Sequence, residues 1–431
     1  MFETLKSIFH NAELKKIDDN RIDITKTDIY DKIVEKIPEL KEIFDLGRKV
    51  DETEFNRTLR HTFRVLYVYF NIVRNKYKPA GNLSEDDFNT IRKLIKNIND
   101  ENQEILPCIF LYHDIGKPFN QREHPKESAK IVDKYELTRY FNLNNESIIA
   151  QKVIEYHLLM GTINNGEASL WSLINFINDP KTQKITKNEI LLDLFLDLSV
   201  IFAVIDIWGY PYGLVNENYL NQYFNLRNIF SKLLSIKNKK DFFSSLNELC
   251  FERIDWRISS AIRIFQYYNS KSSYSKSFFL NKIFDAIKRL NGDNVEIETW
   301  NEYKLKNFSN IPRVQLKYGL PIMMRLALGS FKKRKWKIDE NTKVQTDLIV
   351  FWRSLDERIA EFIRNRDVLN LPIDVVWEGL PHWKKYDKKI IEIFKGKVFQ
   401  EIIEHSVIQY DEQENNYNLI LNFRKRIENI N

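Results

Sequence analysis

The chain has 431 residues, of which 43% are hydrophobic and 13% aromatic. That content supports a packed core and excludes a disordered protein, and the length fits two or three domains. The formal net charge of +6 permits an anionic partner without requiring one. Cys108 and Cys250 are too few and too far apart for a disulfide framework or a thiolate zinc site, so we expect buried, reduced thiols.

The sequence gives no sign of a membrane span or a secretory signal. The N-terminal residues lack a long apolar core, and aspartates interrupt the most apolar window, 191–208. We therefore expect a cytoplasmic protein that does not enter the membrane.

Helical periodicity dominates the first half of the chain, in keeping with only 12 glycines and 11 prolines. No strand-like alternation interrupts it. The predicted helices are 53–77, one capped by Ser84, one starting at Pro107, 126–135, 146–160, 167–178 and one opened by Thr186 with Glu189.

The second half follows a polar, basic break at 236–240. We predict helices at 241–268, 276–290 and 347–369, a turn at 291–294, and a hairpin of 407–410 with 417–421, where a helix fits nearly as well. The fold class is therefore all-α. The predicted domains are a helical extension (1–50), a helical bundle (51–235) and a mostly helical domain of unknown role (236–431).

Four of the seven histidines fall within one segment of about 100 residues. His61 lies on an apolar helix, where a lone histidine is more often a packed core residue than a ligand. The doublet His113-Asp114 ends a buried helix and precedes Gly116 and Pro118. Burying an imidazole beside a carboxylate is costly without a partner, and a metal ion would be one. A helix cap or surface turn is the alternative.

Three further residues fit the same site. His124 either caps the helix that follows it or points into the site, and His157 is either a buried ligand or a packed core residue. Asp206 lies about half a helical turn around from Asp193 and Asp197. It therefore faces the interior when those two face solvent, and a buried aspartate needs a partner.

Five short segments, in this order, resemble the HD superfamily of metal-dependent phosphohydrolases. They are RHTFRV (60–65), LYHDIGKP (111–118), HPKESA (124–129), EYH (155–157) and VID (204–206). The resemblance covers roughly residues 50–215. Within it the chain is similar in particular to the HD modules of tRNA nucleotidyltransferases and related phosphohydrolases. Gly209-Tyr210-Pro211 invites comparison with the HD-GYP phosphodiesterases, but it follows Asp206 instead of preceding it, and we interpret it as coincidence.

The resemblance implies an HD-type helical bundle with one divalent ion held by four side chains, which are His61, His113, Asp114 and Asp206. His124 and His157 stand where two-metal HD families place further ligands, with Asp114 bridging. In a one-metal site these two histidines would be acid–base partners instead. The ion would be Mn, Fe, Ni, Co, Zn or Mg.

Three basic residues flank these candidate ligands. Lys117 would meet a substrate phosphate, in a catalytic role, or pair with a ligand carboxylate. Arg60 and Arg64 could bind substrate in the same way, although solvated helix charges explain them equally well.

The expected activity is phosphomonoester or phosphodiester hydrolysis of a nucleotide or nucleic acid by a metal-activated water. The run 331–337, with Lys333, Arg334, Lys335 and Trp336, has the composition of a phosphate-backbone contact with a stacking ring, although a solvated helix end is commoner. If this run binds a phosphate backbone, the substrate would be an oligonucleotide or nucleic-acid end rather than a free nucleotide. The alternatives are an inactive HD scaffold and a nucleic-acid-binding module that acts through the C-terminal half. The sequence does not predict an oligomeric state.

Overall fold

The computed structural model describes residues 1–79, 83–143, 146–211, 213, 215, 217–236, 238–269, 275–291, 300–317, 319–329, 338–364, 368–380, 392–394 and 396–428. The chain divides into two compact units. Unit 1 comprises Met1–Gly161 and Asp179–Ser235, and unit 2 comprises Thr162–Asn178 and Ile236–Asn431. The division into three domains stays a prediction.

The described residues up to 235 contain helices and no strands. In chain order the α-helices are α1 (Phe2–His10), α2 (Leu14–Asp18), α3 (Asp28–Lys36), α4 (Glu39–Val50), α5 (Glu52–Val73), α6 (Glu85–Asn102), α7 (Ile105–Tyr112), α8 (His124–Lys134), α9 (Ser147–Glu155), α10 (Leu159–Asn164), α11 (Leu173–Asn178), α12 (Gln183–Thr186), α13 (Glu189–Trp208) and α14 (Glu217–Leu234). Short 3₁₀ turns occur at Ile24–Lys26, Leu137–Tyr140 and Leu170–Ser172.

Beyond residue 235, unit 2 combines helices with a small sheet. Its elements are α15 (Lys239–Glu252), α16 (Ile254–Asn269), α17 (Lys276–Asn291), α18 (Trp300–Phe308), a 3₁₀ turn (Ile311–Arg313), β1 (Val314–Gln315), α19 (Leu320–Leu328), α20 (Asp347–Arg364), β2 (Ile373–Glu378), α21 (Gly396–Glu404), β3 (Val407–Asp411), β4 (Asn416–Asn422) and α22 (Arg424–Glu428). The predominance of helix confirms the predicted all-α class.

Four helices form the centre of unit 1. α5 begins where the Asp51 carboxylate accepts the N–H of Glu54 at 2.9 Å, a side-chain N-cap. It packs on α7 and α13, and both of these also contact α9. Every residue of α7 is buried, because an almost wholly apolar helix needs neighbours on all sides. The ends of these helices carry the polar residues of the site.

Several helix boundaries differ from those predicted. Ser84 caps its helix as expected, accepting the N–H of Asp87. The prediction that Thr186 opens the long apolar helix is wrong, because Asn188 caps α13 while Thr186 belongs to the separate helix α12. The segment predicted as one helix, 146–160, is divided between α9 and the start of α10, with His157 in the turn between them.

The sheet of unit 2 has the strand order β1-β2-β4-β3. The predicted hairpin is confirmed, since β3 and β4 are antiparallel with Ile408 opposite Leu419. β1 and β2 were not predicted; they join the hairpin in parallel, with Val375 beside Leu419. The predicted turn at 291–294 lies largely outside the described residues.

Cys108 and Cys250 are both free and buried, as predicted. Among the described helices, none combines the length and hydrophobicity that crossing a bilayer requires.

Candidate metal centre

Six predicted ligands converge in unit 1 from five places along the chain. His61 lies within α5, His113 and Asp114 directly follow α7, His124 is the first residue of α8, His157 follows α9, and Asp206 is near the end of α13. Five of them are buried, whereas the Asp206 side chain keeps 21% of its exposure. The doublet and the four separate positions thus meet in one place, and their roles as ligands stay a proposal.

The first group consists of His61, His113 and Asp206. The Nε2 of His61 lies 2.7 Å from Oδ1 of Asp206, and the Nε2 of His113 lies 3.5 Å from the same oxygen. Asp206 therefore faces two imidazoles. Asp193 and Asp197 bind Arg227 instead, as the half-turn argument anticipates for the other side of α13.

The second group consists of Asp114, His124 and His157. Oδ1 of Asp114 lies 3.1 Å from Nε2 of His124 and 3.7 Å from Nε2 of His157. The other oxygen of Asp114, Oδ2, lies 3.6 Å from Nε2 of His113. The carboxylate of Asp114 is therefore shared between the two groups.

Backbone carbonyls fix the tautomers of three of the histidines. Nδ1 of His113, His124 and His157 lies 2.9, 3.0 and 2.7 Å from the carbonyl oxygen three residues earlier. A carbonyl only accepts, so each Nδ1 carries a proton and Nε2 is the ring atom directed into the site. Metal-binding histidines are oriented by the same kind of contact.

These Nε2 atoms lie close to one another and to carboxylate oxygens. The Nε2 atoms of His124 and His157 are 3.2 Å apart. The Nε2 of His113 is buried and has no hydrogen-bond partner among the described residues. Lone pairs that meet each other and carboxylates repel unless a cation lies between them. The donor set therefore fits a divalent metal, for which imidazole and carboxylate are common ligands.

The protonation states agree with such a site. Burial lowers the pKa of His157 to about 3 and also lowers the pKa of His113, so both rings are neutral near pH 7. Burial alone would raise the pKa of Asp114, but the ammonium of Lys117 and the neighbouring imidazoles hold it well below its usual range. Burial likewise opposes ionisation of Asp206, whereas His61 lowers its pKa.

Of the two roles predicted for Lys117, pairing with a ligand carboxylate is the contact observed. Its Nζ donates to Oδ2 of Asp114 at 3.0 Å, and its side chain is largely buried. Burial disfavours the ammonium, yet the Asp114 carboxylate raises the pKa of Lys117 overall. Contact with a substrate phosphate stays a proposal.

The two arginines that flank His61 bind protein groups. Arg60 donates to the carbonyl of Ile17 at 2.7 Å and to a second carbonyl of the N-terminal segment. Arg64 donates to the carbonyl of Gly209 at 2.8 Å and forms an ion pair with Asp18. These contacts favour a structural role in anchoring the N-terminal helices to α5, and the substrate-binding role stays untested.

The segment after α13 contributes to the site, although its Gly209-Tyr210-Pro211 run was interpreted from the sequence as a coincidence. The ring of Tyr210 stacks on His61 with centroids 4.1 Å apart. Gly209 leaves room for the His61 ring, because a Cβ there would lie 3.0 Å from Cε1 of His61. The sequence signal that could have identified Tyr210 is its position directly after the helix that contains Asp206.

Gly116 allows α8 to approach the doublet. Its N–H donates to Oγ of Ser128, and a Cβ at this position would lie 2.4 Å from the backbone nitrogen of Ser128. The predicted basic residues Lys333, Arg334, Lys335 and Trp336 lie outside the described residues.

Unit 1 is therefore a helical unit with a mixed histidine–aspartate site that is compatible with a divalent cation. The model of the HD domain family matches residues 58–195, which include every candidate ligand except Asp206. This segment is therefore an HD domain, a type of domain that is typical of metal-dependent hydrolases. No curated protein matches the chain, and no solved structure does.

Proposed function

We propose that the protein is a metal-dependent phosphohydrolase that acts on a phosphoester of a nucleotide or nucleic acid. One observation carries the proposal: two His/Asp groups share Asp114, and their imidazole Nε2 atoms are directed at one another in a buried site. The HD domain match supports the reaction class. The substrate class rests on the resemblance and on the basic run 331–337.

His61, His113 and Asp206 would hold one ion, and Asp114, His124 and His157 a second. A bound divalent cation supplies charge that activates water and stabilises phosphoryl oxygens. The chain itself orients the donors: backbone carbonyls hold three rings, Tyr210 stacks on His61, and Lys117 holds Asp114. With Nδ1 bound to a carbonyl, His124 and His157 are better suited to act as ligands than as acids.

The first experiment measures metal content together with hydrolysis of nucleotides, cyclic phosphates and short single strands. We expect bound transition metal and phosphoesterase activity in the wild type, and loss of both in His113→Ala. His405→Ala is the matched control, because His405 is exposed, follows α21 and lies with its Nδ1 2.8 Å from the carbonyl oxygen of Glu401. A metal-free, inactive wild type under Mn or Ni supplementation would contradict the proposal and favour an inactive scaffold.

The number of ions is tested separately. His61→Ala and His124→Ala remove one donor each from different groups. If each group holds its own ion, each variant loses about half of the bound metal. If one ion uses all six side chains, either variant loses nearly all of it. Binding of single strands without turnover by the metal-loaded protein would instead favour a nucleic-acid-binding module.

A further inference from the structure

Unit 2 contains a small cavity at the junction of α15 and α16. Its volume is about 20 Å³, and it is bordered by the turn 168–170, by Ile311-Pro312 and by the side chains of Cys250, Arg253 and Arg257. Most of this border is apolar. Two arginine side chains therefore border a cavity that offers them few hydrogen-bond partners.

Arg253, which borders the cavity, has an unsatisfied donor. Its Nη2 is buried and has no hydrogen-bond partner among the described residues. The guanidinium carbon lies 5.7 Å from the ring centre of Trp256, which also borders the cavity. Burial lowers the pKa of Arg253 to about 10, which indicates a charge that lacks compensation.

Arg257 adds a second positive charge. It is 6% exposed and donates only to carbonyl oxygens, those of Gly166, Glu167, Ile311 and Val314. Carbonyl dipoles satisfy its hydrogen bonds but supply no net negative charge. Burial lowers the pKa of Arg257 to about 9.

The neighbouring acidic groups do not provide a counter-charge. Asp255 accepts hydrogen bonds from Trp300 and lies 3.4 Å from the ammonium of Lys304. The carboxylate of Glu167 accepts the N–H of Leu320. Burial raises the pKa of Cys250 to about 12, so its thiol stays neutral. In the described part of the chain, no carboxylate forms an ion pair with Arg253 or Arg257.

We propose that this cavity is an anion site, in which Arg253 binds an oxygen of a phosphate group. The cavity is large enough for about one water-sized group, so a single phosphate oxygen enters and the remainder stays at the mouth. A guanidinium fork matches phosphate geometry, and two uncompensated positive charges suit a dianion.

The test uses the full chain with His113→Ala and Asp114→Ala, so that the candidate metal centre does not contribute. EDTA-treated wild type is the second background, in case the double variant does not fold. Isothermal titration with inorganic phosphate, AMP and adenosine measures binding. In each background Arg253→Met replaces the charged side chain by an uncharged one of similar length. Arg364→Met makes the same change at an exposed position of α20 in unit 2.

We expect saturable binding of phosphate or AMP, weakened about tenfold or more by Arg253→Met and unchanged by Arg364→Met. Tighter binding of AMP than of phosphate identifies a nucleotide site, and equal affinity identifies a phosphate site. Three results would overturn the proposal: no binding up to about 10 mM, equal binding by Arg253→Met, or binding of adenosine as tight as that of AMP. None of them bears on hydrolysis in unit 1.

Discussion

At the residue scale, the candidate metal centre has little spare room at Gly209. A Cβ there would lie 2.4 Å from Cγ2 of Val65 and 3.0 Å from Cε1 of His61. The backbone of Gly209 is helical, with φ of −64°, so the constraint is steric and not conformational. A side chain at this position must displace α5 or the His61 ring.

We therefore predict that Gly209→Ala lowers the free energy of unfolding by about 1–3 kcal/mol, because both neighbours are tightly packed. Displacing His61 should also weaken metal binding about 10- to 100-fold. Urea denaturation and metal titration measure the two effects. Gly47→Ala is the control: its Cβ would meet Pro118 at an ordinary 3.4 Å, and an alanine within a helix is expected to be neutral or stabilising. Wild-type metal affinity in Gly209→Ala would exclude this steric role.

At the element scale, the position of Asp206 depends on where α13 begins and how it is held. The Asn188 side chain accepts the N–H groups of Ile190 and Leu191 at 3.0 and 3.3 Å. Thr186, which the sequence pattern favoured as the start, donates only to the carbonyl of Gln183 at 3.4 Å. The cap is therefore two residues later than the Thr–Glu spacing suggested.

This difference predicts that Asn188→Ala lowers the free energy of unfolding by about 1 kcal/mol, the usual loss for an N-cap side chain. Thr186→Ala should change it by less than about 0.5 kcal/mol, as for a partly exposed residue outside a cap. Chemical denaturation of the two variants in parallel compares them directly. A larger loss in Thr186→Ala would show that the helix starts where the sequence pattern placed it.

Elements with local signals could be predicted from the sequence, and those that depend on distant partners could not. The Ser84 cap and the 407–421 hairpin have their determinants within a few residues. β2 pairs in parallel with β4, more than 40 residues away, so its short strand pattern has no local partner. The same holds in the site, where the doublet was recognisable but the stacking of Tyr210 on His61 joins segments 149 residues apart, at positions 210 and 61.

At the scale of the whole molecule, the six candidate ligands come from positions spread along much of unit 1. Asp206 and His61 are 145 residues apart in sequence, and the helices between them supply the other donors. A cation that binds only this folded arrangement stabilises it by mass action, by about 2.7 kcal/mol at a concentration 100 times its dissociation constant. Unit 2 contributes none of these ligands.

We therefore predict that metal slows amide hydrogen exchange in α5, α7, α9 and α13 of unit 1, while β2 and β4 of unit 2 exchange as before. The measurement compares EDTA-treated and metal-loaded protein by mass spectrometry of peptides from each unit. His113→Ala, which lacks one donor of the first group, should lose most of the protection. Equal protection in both units would mean that they unfold as one cooperative body, because ligands confined to unit 1 would otherwise leave the sheet unaffected. No protection in either unit would argue against metal binding by the folded chain.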